Sequence, residues 1–389
     1  MSAIEDWKMF ARSLAPEAAA GSGCSGWSLV FARRGRALAL PVAARSHAAG
    51  LDFFVRTSGK WWWARFITRC HRLVRGVLPE AHLSAEQYRE LQRIVSGTGG
   101  QPAEEAGEVL GIQFGSSGPL QKVMVLGSAF DGSWSVAKLA LRPSADDQIL
   151  AEAAWLKRLA GCPGLAAHVP AVTGAGKTVL GRPYFVMRAV VGEPVPATFS
   201  VDHSELLRNI AGADGRVELW QESALFRTIE ARVAMLAASN GDGLQVLRAG
   251  WSSACRVLAG RRVPLCLSHG DFASWNLLRT DQGLVAVDWE YAQPCWNPLG
   301  DFFHFHLIPT ALDGSLRRER IRRDRLLADA SRHAVDIFAI DAELAALLAP
   351  PLLLVYLVDI VSFYATASGG IERKDPVVNS YLQCIAEQT

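Results

Sequence analysis

The hydrophobic and polar positions divide most of the chain into a strand-rich region followed by a helical one. Between Val109 and Gly192, short apolar runs such as KVMVLGS and SWSVAKLAL alternate with Gly, Ser and Asp turns, which predicts β-strands. Residues 146–160 carry apolar side chains at helical spacing and end at Gly161, so a helix is expected there. From Glu193 onward the spacing is mostly helical, apart from residues 263–298.

A Gly- and Pro-containing stretch, SGTGGQPAEEAGE, separates the first 95 or so residues from this pattern and is typical of a linker. Before it, a short helical segment is followed by strand-like runs such as WSLVF and LDFFVR. We therefore predict three parts: an N-terminal α/β extension of unknown role (1–95), a strand-rich part (109–192) and a mainly helical part (193–389).

Residues Lys60–Pro79 combine three consecutive tryptophans with several basic residues. Such a segment is compatible with a helix lying on an anionic membrane surface. It is also compatible with a basic helix whose aromatic face packs on the next domain. Packing is the favoured interpretation, and peripheral membrane contact stays open.

Composition and charge exclude several classes of protein. Half of the 389 residues are apolar, a fifth are charged, and the net charge is only +2, which argues against a disordered chain or a nucleic-acid-binding protein. Seven scattered cysteines without a CxxC pair, and acids near the N-terminus where a signal peptide needs basic residues, favour a cytoplasmic location.

The most apolar stretch, Leu344–Ala367, contains Pro350, Pro351 and Asp359. We expect the prolines to interrupt it and to leave too few residues for a membrane span. A buried C-terminal helix is the favoured interpretation.

Residues 263–298 carry the most informative polar pattern. An apolar strand runs into Ser268-His269-Gly270-Asp271, and Asn276 follows five residues after Asp271. After a turn at residues 281–283, a second strand ends in Asp288-Trp289-Glu290. This strand–loop–strand–turn–strand pattern predicts that Asp271, Asn276 and Asp288 meet at one edge. Two carboxylates and an amide oxygen suit Mg²⁺, and a carboxylate beside such an ion can activate a hydroxyl for phosphoryl transfer.

HGDFASWN, followed twelve residues after Asn276 by DWE, resembles the signature of the aminoglycoside phosphotransferase and choline kinase family. The resemblance implies an α+β, bilobal protein-kinase-like fold with a strand-rich N-lobe and a mainly helical C-lobe. It covers roughly residues 109–389. The implied activity is Mg-ATP-dependent phosphorylation of a small-molecule hydroxyl.

The same resemblance implies a role for each matching residue. Asp271 would be the catalytic base, and Asn276 and Asp288 would hold Mg²⁺. His269 and Asp301 would be structural supports of the loop. Glu290 and Trp275 are candidates for a metal or acceptor contact, with core packing the alternative for Trp275.

The strand-rich part contains the remaining elements that the resemblance requires. Lys138 is a lone charge in an apolar strand, and Glu152 lies on the following helix, so a Lys–Glu pair that positions ATP phosphates is expected. Gly115-Ser116-Ser117-Gly118 stands at a strand-to-strand turn where backbone N–H groups could approach phosphates. The adenine-binding hinge would lie at Met187–Val190, including Ala189.

Two other functions compete with a small-molecule kinase. A pseudokinase-like nucleotide- or partner-binding module would not require Lys138, Asp271, Asn276 and Asp288 together. A protein Ser/Thr kinase would carry the HRD, DFG and APE motifs, which the chain lacks. For the acceptor, the arginine-rich segment 317–332 gives no support to an aminoglycoside. A sugar, glycan intermediate or lipid-linked saccharide fits the basic, Trp-rich extension better.

Overall fold

Two compact units make up the chain in the computed structural model. The first comprises Met1–Cys162, Ala166–Val195 and Leu277–Glu290, and the second comprises Pro163–Leu165, Pro196–Asn276 and Tyr291–Thr389. Each unit is described by itself below. The structure describes residues 3–15, 25–31, 37–41, 53–54, 80–97, 107–116, 118–128, 133–236, 242–314 and 323–389. The Lys60–Pro79 segment, with its proposed membrane contact, lies outside them.

An antiparallel sheet of eight strands organises the first unit, in the order β3-β1-β2-β4-β5-β6-β8-β7. The strand pattern predicted after Val109 accounts for five of these strands, β4 to β8. The strands of the sheet are β1 (Ser25–Phe31), β2 (Ala37–Pro41), β3 (Glu80–Leu83), β4 (Val109–Phe114), β5 (Lys122–Ser128), β6 (Trp134–Ala140), β7 (Val172–Lys177) and β8 (Pro183–Arg188).

The N-terminal extension continues this sheet. Strand β2 pairs with β4, so the described strands of residues 1–95 lengthen the sheet instead of standing apart. Helices α1 (Ala3–Leu14) and α2 (Ala85–Val95) belong to the same unit, and Trp7, Phe10 and Phe114 share one apolar core. Because one core spans both segments, the linker at residue 96 does not divide two cores.

Helix α2 illustrates how local sequence and packing agree. Ser84 and Gln87 form a reciprocal capping box at its start, at 3.2 Å and 3.0 Å, which satisfies two free N–H groups. At its other end, a Cβ on Gly127 of β5 would lie 2.5 Å from the Val95 side chain. A glycine is therefore required for the helix to approach the strand this closely.

One further helix and three short strands belong to the first unit. Helix α3 (Asp146–Ala160) follows β6 and has the bounds expected from its apolar spacing. The two-residue strand β9 (Glu193–Pro194) pairs with β12 (Leu277–Thr280), which forms a hairpin with β13 (Gly283–Ala286). This hairpin belongs to the first unit, although the sequence pattern placed it in the helical part.

The second unit is mainly helical and contains one three-stranded sheet, β10-β11-β14. The catalytic-loop candidate, residues 268–276, follows β11 directly. The elements are α4 (Val201–Ala213), β10 (Arg216–Leu219), α5 (Ala224–Met235), α6 (Asp242–Leu258), β11 (Arg262–Ser268), β14 (Gln293–Trp296), α7 (Gly300–Asp313), α8 (Arg323–Phe338), α9 (Ala342–Ser368) and α10 (Pro376–Ala386).

Helix α9 corrects one expectation. Pro350 and Pro351 lie inside a continuous helix of 27 residues and do not interrupt it. By length and composition this helix could cross a membrane, but 67% of its most apolar stretch is buried inside the protein, where it packs against α5, α6, α8 and α10. Burial on several sides outweighs the roughly 3 kcal/mol that a proline costs in a helix.

The buried acid of α9, Asp359, is paired inside the second unit. The Asp359 carboxylate accepts hydrogen bonds from Arg232 at 2.7 Å and from the Trp296 indole at 2.8 Å. Burial raises the pKa of Asp359, and the Arg232 guanidinium opposes this rise. These two hydrogen bonds explain how a carboxylate is accommodated in a buried, largely apolar part of the helix.

A buried acid ties the N-terminal helix to the loop between β4 and β5. Asp6, whose side chain is 1% exposed, accepts from Gln121 at 3.1 Å and from Arg142 at 3.2 Å. The same Gln121 amide donates to the Gly115 carbonyl at 3.3 Å. The extension thereby contributes directly to the base of the glycine-containing loop.

Replacing Arg142 by methionine should therefore destabilise the protein by about 1.5–3 kcal/mol, because it removes a charged hydrogen-bond donor from a buried carboxylate. The matched control is Arg182→Met, which removes the half-exposed Arg182–Asp146 pair of the same unit and should cost less than about 1 kcal/mol. Urea unfolding of both variants measures the difference. Equal small losses would show that Asp6 does not depend on Arg142.

Candidate active site

The first unit gathers Lys138, Glu152 and Asp288 into a group of three charges. The Lys138 ammonium donates to Glu152 Oε1 and lies 2.9 Å from Asp288 Oδ1. Lys138 and Glu152 are buried, whereas the Asp288 side chain is 38% exposed. Burial alone would lower the pKa of Lys138, but Asp288 and Glu152 outweigh it and raise this pKa, so the lysine is cationic.

Strand pairing and a strained backbone place these side chains. Lys138 lies in β6 between Met124 of β5 and Phe185 of β8, and Asp288 follows the β12–β13 hairpin. Asp288 has a φ of +70°, a left-handed conformation that aspartate tolerates better than most residues. Strain of this kind is concentrated at functional sites, and here it accompanies the Asp288 contact with Lys138.

A second lysine, which the sequence reasoning missed, joins the same group. Lys122, the first residue of β5, forms an ion pair with Glu290. Burial lowers the pKa of Lys122 to about 8, although Asp288 opposes this. Glu290, predicted as a metal or acceptor contact, is thus engaged by a lysine. The only signal in the sequence was a lysine at the start of an apolar strand. This pattern is too common to indicate a functional residue.

The oxygen atoms of this group fit a divalent cation. One oxygen each of Glu152, Asp288 and Glu290 lies within 4.8 Å of the others, and Mg²⁺ prefers oxygen ligands. Glu152 Oε2 is buried and has no hydrogen-bond partner. The donor set is therefore compatible with Mg²⁺ on chemical grounds.

The predicted phosphate loop is partly used by the sheet itself. The Gly115 N–H donates to the Lys122 carbonyl at 2.9 Å, so this group closes the hairpin and is not free for a phosphate. Gly118 has a φ of +158° and open space where a Cβ would lie. Ser116 lies in the described part of the loop, whereas Ser117 lies outside it.

The predicted hinge lies where the chain leaves the eight-stranded sheet. Met187 is buried in β8, and Ala189 and Val190 follow the strand half-buried. The Ala189 N–H donates to the Trp134 carbonyl at 2.8 Å. That N–H is therefore occupied by a hydrogen bond to the sheet. Adenine would have to bind other backbone groups of this segment.

The second unit holds the predicted base, Asp271, between two donors. Asn276 Nδ2 donates to Asp271 Oδ2 at 2.7 Å, and His304 Nε2 lies 2.9 Å from Asp271 Oδ1. Because a carboxylate only accepts hydrogen bonds, the Asn276 amide nitrogen faces Asp271 and the amide oxygen does not. The amide oxygen is the atom that can bind a cation such as Mg²⁺. The Asp271 side chain is 28% exposed. His304 was not predicted from the sequence.

Asp301, in the first turn of α7, fixes the loop before Asp271. Its carboxylate accepts from the Ser268 hydroxyl at 2.9 Å and from the backbone N–H groups of His269 and Gly270 at 2.7 Å and 3.0 Å. The fully buried His269 accepts from the Asp271 N–H at 3.3 Å. The structure thus places both predicted supports in contact with the loop.

Gly270 is required by this loop geometry. It has a φ of +81°, and a Cβ there would lie 2.3 Å from the Tyr291 carbonyl oxygen. Only glycine avoids both the strained backbone and the clash. Trp275 lies half-buried in the short 3₁₀ turn Ser274–Asn276.

The structure therefore brings the predicted residues together in two groups. Asp271, Asn276, His269 and Asp301 lie in the second unit, and Lys138, Glu152, Asp288 and Glu290 lie in the first. The predicted approach of Asp288 to Asp271 and Asn276 stays a prediction.

Comparison with protein families decides what these groups belong to. The profile of the phosphotransferase enzyme family, APH, matches residues 130–338, a span that includes both groups. The chain belongs to this family. Membership confirms the family that the HGD and DWE motifs indicated and agrees with the α+β, protein-kinase-like fold class. This phosphotransferase has a strand-rich N-terminal region and a mainly helical C-terminal region, as that fold class implies.

Solved structures show looser likenesses to this phosphotransferase. A candidate fructosamine-3-kinase from Thermobifida fusca is 18% identical, with coverage of 72% of this chain and 95% of that chain and a TM-score of 0.44. APH(2")-IIia, solved with GDP and kanamycin, is 14% identical, with 77% and 97% coverage and a TM-score of 0.48.

A thermostable mutant of aminoglycoside phosphotransferase APH(4)-Ia, solved with ADP and hygromycin B, is 13% identical, with 72% and 94% coverage and a TM-score of 0.46. A search of curated proteins finds no match. The family match therefore carries the assignment.

Proposed function

We propose that this phosphotransferase is a Mg-ATP-dependent kinase that phosphorylates a hydroxyl group of a small, sugar-like molecule. The observation that carries the proposal is the placement of Lys138, which contacts both Glu152 and the strained, partly exposed Asp288. A cationic lysine oriented by one acid and adjacent to a second is the arrangement that nucleotide phosphates and their metal require.

Each group of residues has its own part in the proposed reaction. Lys138 binds and orients the phosphates, and Asp288, with Asn276 as the second predicted ligand, would hold Mg²⁺. The bound ion would neutralise charge on the phosphate oxygens. Lys122 adds a second positive charge to the phosphate-binding group.

Asp271 serves the acceptor. The acceptor oxygen forms a bond to the γ-phosphorus while the bond from that phosphorus to the bridging oxygen breaks and ADP leaves. The proton of the acceptor hydroxyl passes to the Asp271 carboxylate. Asn276 and His304 orient this carboxylate through its two oxygens, so its lone pairs keep a fixed direction.

Two side chains, one in each unit, support a sugar-like acceptor. Trp275 lies four residues after Asp271 in the same loop, and an indole can stack on a sugar face. Glu290 is paired with Lys122 and so offers little free negative charge to a polycation. The similar structures were solved with kanamycin and hygromycin B, which makes these two compounds informative competitors of neutral sugars.

The test combines binding and turnover of the wild-type protein. Mg-ATP or Mg-GTP at 100 times its dissociation constant should stabilise the fold by about 2.7 kcal/mol, measured by thermal unfolding with and without EDTA. Release of ADP or GDP is then followed with glucose, fructosyl-lysine, kanamycin and hygromycin B as acceptors.

The expected result is Mg-dependent stabilisation together with faster diphosphate release and a phosphorylated product for a neutral or fructosyl sugar. Stabilisation without product for any acceptor would favour a nucleotide-binding module. If neither nucleotide stabilises the protein at millimolar concentration, the assignment of Lys138 and Asp288 to nucleotide binding is contradicted.

A further inference from the structure

A chain of hydrogen bonds leads from the proposed base into the interior of the second unit. His304 Nε2 lies 2.9 Å from Asp271 Oδ1, and His304 Nδ1 lies 3.2 Å from the Tyr356 hydroxyl. The Tyr356 hydroxyl in turn lies 2.8 Å from the Tyr381 hydroxyl. The four side chains come from the catalytic loop and from helices α7, α9 and α10, so four separate segments meet along one line of contacts.

One donor and acceptor order fits these groups when the imidazole is neutral. The Asp271 carboxylate can only accept, so His304 Nε2 must carry a proton and donate it. In the neutral imidazole, Nδ1 is then an acceptor, and the Tyr356 hydroxyl donates to it. Tyr381 completes the order by donating to the Tyr356 oxygen. The run Tyr381 to Tyr356 to His304 to Asp271 therefore has one donor and one acceptor at every contact.

Burial makes this order stable. His304 is 6% exposed, Tyr356 is 3% exposed, and Tyr381 is fully buried. Burial raises the pKa of both tyrosines well above the usual range, so each keeps its hydroxyl proton at neutral pH. A buried hydrogen-bond donor is costly to leave without a partner, and this cost holds the imidazole in place.

We propose that His304 is a positioning residue for Asp271, held in its Nε2–H tautomer by the Tyr356 hydroxyl. This inference rests on the proposed function, because it assigns to His304 the orientation of the base in that reaction. The bond to a charged acceptor is the stronger type of hydrogen bond.

The two oxygens of Asp271 then have different partners. Asn276 holds Oδ2 and His304 holds Oδ1, so the carboxylate cannot rotate about its side-chain bond without breaking one contact. Loss of His304 leaves rotation limited by Asn276 alone. A displacement of the base by about 1 Å can lower a rate by about 10²-fold.

Kinetics of variants at residue 304 separate positioning from general stability. His304→Ala should lower kcat for Mg-ATP turnover by about 10²-fold and leave the KM for Mg-ATP within about twofold of wild type. His304→Gln should recover much of the rate, because the Gln Nε2 can occupy the donor position of the imidazole Nε2. His304→Asn should not, because its amide is one bond too short.

The matched controls come from the same helix and from the hydrogen-bond chain. His306 lies two residues further along α7 and packs against Phe199 and Phe302, so His306→Gln should leave kcat unchanged. Tyr356→Phe removes the donor to Nδ1 and the acceptor of the Tyr381 hydroxyl, but keeps the His304 ring, and should lower kcat less than His304→Ala does. All variants are compared by circular dichroism and thermal unfolding before kinetics.

A spectroscopic measurement tests the tautomer without an acceptor. The chain has nine histidines, and two-bond ¹H–¹⁵N spectra of ¹⁵N-histidine-labelled full-length protein distinguish the tautomers. The His304 signal, identified by its loss in His304→Gln, should show the neutral Nε2–H form. Tyr356→Phe should shift the Nδ1 resonance toward that of a nitrogen without a hydrogen-bond donor.

The outcomes separate this inference from the proposed function. Wild-type kcat in His304→Ala, with activity lost in Asp271→Asn, would overturn the role of His304 while the kinase assignment stands. An Nδ1–H tautomer would overturn the inference whatever the activity. Equal, acceptor-independent nucleotide hydrolysis by wild type and Asp271→Asn would contradict the proposed function, and the tautomer result would still decide the hydrogen-bond order.

Discussion

Replacing Asp271 by asparagine is expected to lower the phosphoryl-transfer rate by about 10²- to 10⁴-fold. The variant keeps the shape of the side chain and an oxygen that can accept from His304, but it cannot take a proton from the acceptor hydroxyl. Because Lys138 and Asp288 are unchanged, Mg-ATP should stabilise the variant nearly as much as wild type, although Asn276 loses its acceptor on Asp271. The measurement pairs steady-state turnover with ligand-dependent thermal unfolding.

Asp281→Asn is the matched control for this result. Asp281 is an exposed acid in the turn between β12 and β13, ten residues further along the chain, and its replacement should change neither turnover nor binding. Wild-type turnover in Asp271→Asn would show that another group accepts the proton. Loss of nucleotide binding together with turnover would show instead that Asp271 contributes to the nucleotide site.

Asp288→Asn is expected to give the opposite pattern, in which binding itself is lost. Asparagine tolerates the left-handed conformation at φ +70°, so the backbone is preserved while the charge beside Lys138 is removed. The Mg-dependent stabilisation of about 2.7 kcal/mol at 100 times the dissociation constant should fall to a small fraction of its value. Thermal unfolding with Mg-ATP, each variant measured against its own ligand-free form, gives this difference.

Two controls complete the comparison. EDTA added to wild type should reproduce the loss seen in Asp288→Asn, because both remove the metal from the phosphates. Asp271→Asn measured in parallel should keep nearly the full shift. An Asp288→Asn variant that is stabilised as strongly as wild type would place the metal at Glu152 and Glu290 instead, since these acids complete the oxygen cluster.

Local chemistry in the sequence was enough to find the residues that carry charge in apolar surroundings. Lys138 stands alone in an apolar strand, and a buried charge needs a partner. The partner that the family resemblance implied, Glu152, is in contact with it. The HGD motif likewise indicated a loop next to Asp271, and Asp301 contacts that loop as expected. The motif pattern also identified the family.

Contacts over long separations in the chain could not be predicted in the same way. His304 lies 33 residues after Asp271, and Tyr356 lies 52 residues after His304. Each looks like an ordinary member of an apolar helix, because the helical pattern reports burial and not which neighbours are polar. The pair formed by Lys122 and Glu290 could not be predicted for the same reason, because no motif connects the two segments that carry these residues.

The sequence by itself determined the family, through a motif that resembles a known one, and the strand-then-helix order, through the spacing of apolar residues, because both are expressed in short stretches of the chain. Only the tertiary structure decided that the N-terminal extension lengthens the eight-stranded sheet and that α9 runs through two prolines. It also decided that a buried histidine and two buried tyrosines form a hydrogen-bonded chain that ends at the proposed base. In each case the stabilising free energy comes from packing between segments that are distant in the chain. This free energy outweighs the local conformational preference of any single segment.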